Sequence, residues 1–144
     1  MSAPATDLGR ATADLIDAFN VADWDRMRGH LSGDVAYSET GTGRHVEGAD
    51  AYLDLCHGWR EAFPDVVGTI TDTAGGEGVA VLQIRWQGTH TGPLETPAGP
   101  VPPSGNRVMA DASFWARFEG DRIHEMHHHL DVLALLQQIG ALAG

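Results

Sequence analysis

From Leu8 to Leu31 the apolar residues recur at helical intervals: Leu8, Ala11, Leu15 and Phe19, then Trp24, Met27 and Leu31. Spacings of three and four bring such residues onto one face of a helix. The polar break from Asn20 to Asp23 therefore predicts two helices with a bend between them. A second stripe, Ala49, Tyr52, Cys56, Trp59 and Phe63, predicts an amphipathic helix with His57 on its other edge. Pro64 stops it, because proline has no N–H to donate and its ring clashes with the preceding turn. Between the two stripes, VAYSET (Val35 to Thr40) predicts a short strand, and the glycine-rich TGTGRH a turn or bulge.

Beyond Phe63 the period shortens to two. VVGTITDTAG, GVAVLQIRWQGTHTG, NRVMADASFWARFEG and DRIHEMHHHLD predict four long strands separated by glycine-containing turns. The connection GPLETPAGPVPPSG holds five of the seven prolines, which predicts a stiff, irregular rim or lid. VLALLQQIG predicts a short closing helix with Gly140 at its C-cap. No repeat interrupts this order, and residues 1–144 are expected to form one domain. Helices followed by a strongly bent, largely antiparallel sheet make an α+β architecture, with the early helices covering one face of a cone-shaped barrel.

Composition narrows the partners. Nine basic against twenty acidic residues give a net charge of -11, which repels nucleic acid and anionic membrane. The lone Cys56 excludes an intramolecular disulfide framework, and its place on an apolar stripe makes it a core residue. MSAPATDLGR lacks a basic region leading into an apolar one, and VLALLQQIGALAG is too short to span a bilayer. A cytoplasmic protein is expected.

The densest candidate chemistry is RIHEMHHHLD, with four histidines, Glu125 and Asp131 in ten residues. Alternation along a strand puts Ile123, Glu125, His127, His129 and Asp131 on one face, and His124, Met126, His128 and Leu130 on the other. Neither face is cleanly apolar, so one of them is expected to look into a pocket. Asp131 also immediately precedes a helix, where aspartate is a favoured N-cap. His127 and His129 could instead bind a metal with Asp131, His90 or His57, or simply lie on a solvated face. Asp111 shares a face with Ser113 and Trp115 and is a second candidate acid. His90, at a strand end beside the proline-rich segment, could reach the pocket mouth or hydrogen-bond the loop backbone. Tyr37 and His57 are candidate wall residues. No G-x-S-x-G elbow exists, which disfavours a serine hydrolase.

The order of elements, the phrases GTHTGPL and PPSGNRV, and the ending RIHEMHHHLDVLALLQQIG resemble the SnoaL-like polyketide cyclases, ester cyclases of the nuclear transport factor 2-like superfamily. The resemblance implies cofactor-free and metal-free intramolecular aldol cyclisation of a carbonyl-rich, hydrophobic substrate. It places a catalytic acid on the final strand, where Asp131 fits best and Glu125 stands next. A carboxylate would take a proton from an activated methylene and return it to the new alkoxide. Trp59, Trp86, Phe114 and Trp115 would wall the pocket and raise the pKa of the acid, while His127 and His129 would orient carbonyls. The triple histidine departs from the family's pattern, which often carries an aromatic residue near His127. The resemblance also implies a homodimer through the outer sheet face, where Val81 opposes Leu82 and Phe114 opposes Trp115 across the sheet. The same fold hosts isomerases, epoxide hydrolases and non-catalytic binders of hydrophobic ligands, which are the alternatives.

Overall fold

The first stripe folds into α1 (Ala5–Asn20) and a short α2 (Trp24–Arg28) in the computed structural model, which describes residues 5–96 and 98–142. The bend turns at Ala22, a non-glycine residue at φ 56, and the Asp23 carboxylate caps α2 by accepting from the Arg26 N–H at 3.2 Å. Leu31 leaves the helical pattern and opens β1 (Leu31–Thr40), because it pairs with Ile123 on the last strand. β1 turns back through the glycine-rich segment into β2 (Arg44–Glu47), and α3 (Ala49–Ala62) follows. The remaining strands are β3 (Val67–Gly76), β4 (Val79–Thr89), β5 (Leu94–Thr96), β6 (Gly99–Val101), β7 (Arg107–Glu119) and β8 (Arg122–Leu130), before α4 (Val132–Gln138).

Six strands form one sheet in the order β2-β1-β8-β7-β4-β3, antiparallel except for the parallel pair β1 and β8. The sheet is curved but has two free edges, β2 and β3, so the barrel expected from sequence is an open one. The proline-rich connection is not wholly irregular: β5 and β6 pair within it, Leu94 is buried, and Pro97 lies outside the described residues.

Two layers bury the core. Leu15, Ile16 and Phe19 of α1 pack over β3 and β4, while Tyr52, Leu53 and Cys56 belong to the buried face of α3. From below, Leu82, Ile84, Phe114 and Met126 point up from the sheet. Burial of each such side chain stabilises the fold by roughly 1.5–3 kcal/mol. Gly68 on β3 has a specific reason to lack a side chain: a Cβ there would lie 2.6 Å from the Trp86 indole. Its backbone is gripped by Asn20, whose amide accepts from the Gly68 N–H at 2.8 Å and donates to its carbonyl at 2.9 Å.

At the far end, Asp131 caps α4 by accepting from the Ala134 N–H at 3.1 Å. The Gln138 amide then ties α4 to β7, accepting from the Met109 N–H and donating to the Met109 carbonyl, both at 2.8 Å. No helix among the described residues is long and apolar enough to cross a membrane.

Candidate active site

The pairing of β7 with β8 slips by one residue: Arg117 faces Glu125, but Phe118 faces Ile123, and His124 is left over. This bulge returns Ile123 to the side occupied by Met126, His128 and Leu130, which is the side the helices cover. Above it lies a cavity of about 70 Å³ whose wall includes Phe19, Trp59, Phe63, Trp86 and Phe114, with Tyr37 and His128 among the polar groups. A single water needs roughly 10–15 Å³ on this measure, so the space admits a small ligand or several waters. The named wall holds no charged side chain.

His128, 7% exposed, is wired into its surroundings through both ring nitrogens. The Trp86 indole N–H donates to Nε2 at 3.2 Å. Nε2 must therefore carry the lone pair and Nδ1 the proton, which fixes the neutral tautomer. Nδ1 lies 2.9 Å from the Tyr37 hydroxyl, and Tyr37 donates in turn to Oε2 of Glu39 at 2.5 Å. Glu39, 2% exposed, is the register partner of His128 across the parallel strands. Its Oε2 also accepts from the Trp59 indole at 3.2 Å; its Oε1 accepts from Thr42 at 2.7 Å and from Arg44 at 3.0 and 2.7 Å. Arg44 stacks over Trp59 with its guanidinium carbon 5.0 Å from the ring centroid, so one side chain anchors both the carboxylate and a wall of the cavity.

Ionisation follows from these contacts. Burial pushes the His128 imidazole down to about 4, although the Glu39 charge works the other way. For Glu39, burial favours the neutral acid, but the Arg44 charge and the hydrogen bonds from Tyr37 and Thr42 outweigh it and hold the carboxyl below its ordinary value. Burial and the adjacent Glu39 charge raise the Tyr37 hydroxyl well above its usual value. Near neutral pH the row is an uncharged imidazole, an uncharged phenol and a carboxylate.

A model of the SnoaL-like polyketide cyclase family matches residues 10–139. The chain belongs to that family. No curated protein matches it. Among solved structures, an assigned SnoaL-like polyketide cyclase from Jannaschia sp. CCS1 superposes with a TM-score of 0.86 at 22% identity, covering 98% of this chain and 97% of that one. AclR from Streptomyces galilaeus, assigned as a hydroxylase, gives 0.82 at 24%, with 98% and 85% covered. An LEH-like epoxide hydrolase from M. tuberculosis gives 0.72 at 14%, with 95% and 92% covered. At these identities the likeness is one of fold.

This SnoaL-like chain turns the expected face of its last strand away from the cavity. Glu125, His127 and His129 point outward from the sheet, where His127 pairs with Glu125 and His129 lies 3.0 Å from the Thr40 hydroxyl. Asp131 is exposed and occupied as a cap. With Asp111, Ser113 and His129 it borders a shallow depression on the outer face. Asp111 is paired with Arg85 at 3.0 Å, and Trp115 is also outward. The alternation was read correctly from Glu125 onward, but the helices cover the opposite face.

Of the expected wall residues, Tyr37, Trp59, Trp86 and Phe114 do line the cavity. His57 is exposed and stacks on Trp24 with centroids 3.9 Å apart. His90 is buried against Phe63, and its Nδ1 accepts from the Ser104 N–H at 3.1 Å, so it fastens the loop backbone. Among the described residues no three His, Cys, Asp or Glu side chains are grouped to hold a metal ion. His128 and Glu39 were not singled out from sequence. Their signal was present: each is a lone polar residue at alternate positions with apolar ones, His128 with Met126 and Leu130, and Glu39 with Val35 and Tyr37.

Proposed function

We propose that the protein catalyses cofactor-independent intramolecular aldol cyclisation of an uncharged, carbonyl-rich hydrophobic molecule of the polyketide type, with His128 as the group that takes the first proton. The observation that carries this reading is the Nε2 lone pair of a buried, neutral imidazole in a mostly apolar wall. An imidazole held down to about 4 is unprotonated throughout the neutral range, so its lone pair is free to take a proton, but burial makes it a weak base that must pass the charge on. When a methylene flanked by carbonyls reaches Nε2, the Trp86 indole N–H is released from the imidazole and becomes a donor for the developing enolate oxygen. The enolate attacks a second carbonyl held by the same aromatic walls, and the proton returns to the new alkoxide. Membership of the family supports the reaction class. The negative charge and the absence of membrane-spanning helices among the described residues are in keeping with work in the cytoplasm.

The test uses ethyl benzoylacetate as a neutral aromatic probe and follows exchange of its α-protons in D2O by NMR. The protein is expected to accelerate exchange, and His128→Phe to remove about 100-fold or more of that acceleration while the probe still binds. Binding of the probe without any acceleration would favour a non-catalytic carrier. Opening of styrene oxide with no exchange would favour an epoxide hydrolase on the same fold.

A further inference from the structure

A proton that stopped on His128 would create an imidazolium among Phe114, Trp86 and Tyr37, where the residue is only 7% exposed. The enolate would lie next to it, so two new charges would appear in a largely apolar pocket, and burying charge is the costliest step available. The elements packed around the ring carry few charged groups to help: Glu39 on β1 and Arg44 on β2, with His129 the neighbour on β8 itself. Of these, Glu39 is connected to the ring by hydrogen bonds that all run in one direction.

We propose that the proton taken by His128 passes through Tyr37 and comes to rest on Glu39. The proposal rests on His128 being the group that meets the substrate. As the substrate C–H bond breaks, its proton bonds to Nε2 and its electron pair stays on the enolate. The Nδ1 proton moves to the Tyr37 oxygen across 2.9 Å, and the Tyr37 hydroxyl proton moves to Oε2 of Glu39 across 2.5 Å. His128 ends neutral with its proton on Nε2, Tyr37 ends as a phenol, and Glu39 ends as a carboxylic acid. One negative charge has moved from the carboxylate to the enolate, and no new pair of charges has been made. The return stroke reverses every transfer and delivers the Nε2 proton to the alkoxide.

The side chains suit these tasks. A phenol hydroxyl donates and accepts at once, so Tyr37 can pass a proton while remaining neutral. The carboxylate of Glu39 is held from the side away from Tyr37 by Arg44 and Thr42 on Oε1, which leaves Oε2 as the receiving atom. Losing the carboxylate charge weakens the ion pair with Arg44, whose side chain is 31% exposed and can turn to water. The proton thus moves about two side chains deep, with the Arg44 side chain and the Trp86 indole adjusting in response.

The experiment follows wash-out of tritium from the α-carbon of trace-labelled ethyl benzoylacetate in mixtures of H2O and D2O. Tyr37→Phe and Glu39→Gln are each expected to slow wash-out by about 100-fold or more, with the probe's Kd within about threefold of the parent value. The parent's rate should curve against deuterium content, as several protons in flight require, and Tyr37→Phe should give a straight line. Tyr37→Phe keeps the buried ring and covers the case in which Glu39→Gln, with its unpaired Arg44, folds poorly. If both variants, or a folded Tyr37→Phe alone, wash out at the parent rate while His128→Phe does not, the relay is overturned and His128 acts alone. If His128→Phe also keeps the parent rate, the assignment of His128 itself falls.

Discussion

Acidification reads the buried row directly, because His128 titrates differently in the folded and unfolded chain. Unfolded, its imidazole takes a proton near 6.5; folded, burial pushes it down to about 4. At pH 7 both states are neutral and the residue contributes no pH dependence. As pH falls below 6.5 the unfolded chain binds a proton that the folded chain refuses, so stability drops until the folded imidazole also titrates. A gap of about 2.5 units at 1.36 kcal/mol each removes about 3 kcal/mol between pH 6.5 and 4. For a chain of this length that corresponds to about 6–12 °C in Tm. Carboxyls held low in the folded state, including Asp14, which its bonds to Arg26 and His30 bring down to about 2, also lose their contribution in acid. The comparison is therefore with His128→Gln, which shares those carboxyls and lacks the imidazole. Urea unfolding followed by tryptophan fluorescence, in half-unit steps from pH 7.5 to 4, should show the parent losing about 3 kcal/mol more than the variant, all of it below pH 6.5. Parallel curves would refute the burial of a neutral imidazole and, with it, the tautomer on which the site is built.

Three other outcomes follow from particular contacts. Asp131→Ala should cost about 1 kcal/mol, or about 2–4 °C in Tm, and leave probe exchange within about threefold, whereas Asp131→Asn should change neither, because asparagine caps as well as aspartate does; loss of exchange in Asp131→Asn would return the acid to the last strand's end. Gly68→Ala puts a methyl where the Trp86 indole now lies, 2.6 Å from the new Cβ, and should cost about 1–3 kcal/mol while weakening probe binding, as titration calorimetry would show; unchanged affinity would mean the indole does not shape the cavity. The outer face exposes Trp115 at 37%, Met109 at 49% and Val67 at 47% beside the Arg85–Asp111 pair, and a second copy is expected to cover it. Light scattering at low micromolar concentration should give about twice 15.4 kDa, and a mass of one chain would refute the homodimer.

The helices were legible because their stripes are long: α1 and α3 each show four or five apolar residues at the right interval. β2 was not, since RHVE is four residues with no period to detect, and its neighbouring glycines read equally well as a turn. The bulge at His124 was invisible for a different reason. It is specified by how β8 pairs with β7, and a period-two reading has no means of skipping a residue. Yet from Glu125 onward the grouping of side chains was right, while the cavity opens on the other side of the sheet from the residues expected to line it.

Alternation says which residues share a face and leaves open which face is covered. That is decided by the helices: α1 and α3 lie over the side of Met126 and His128, and once they do, polar groups clustered on the other side are ordinary surface. Density of histidine therefore marks the outer face, and isolation marks the polar residues buried beside the cavity. A single histidine between Met126 and Leu130, or a single glutamate after Val35 and Tyr37, costs stability unless it finds a partner inside. Neither strand contains both halves of that pairing. Tyr37 and His128 are 91 positions apart, and they meet because β1 and β8 run parallel in a register that sets Glu39 against His128. Local pattern can mark each member as an anomaly, but the hydrogen bonds belong to the pair, and the pair exists only in the sheet.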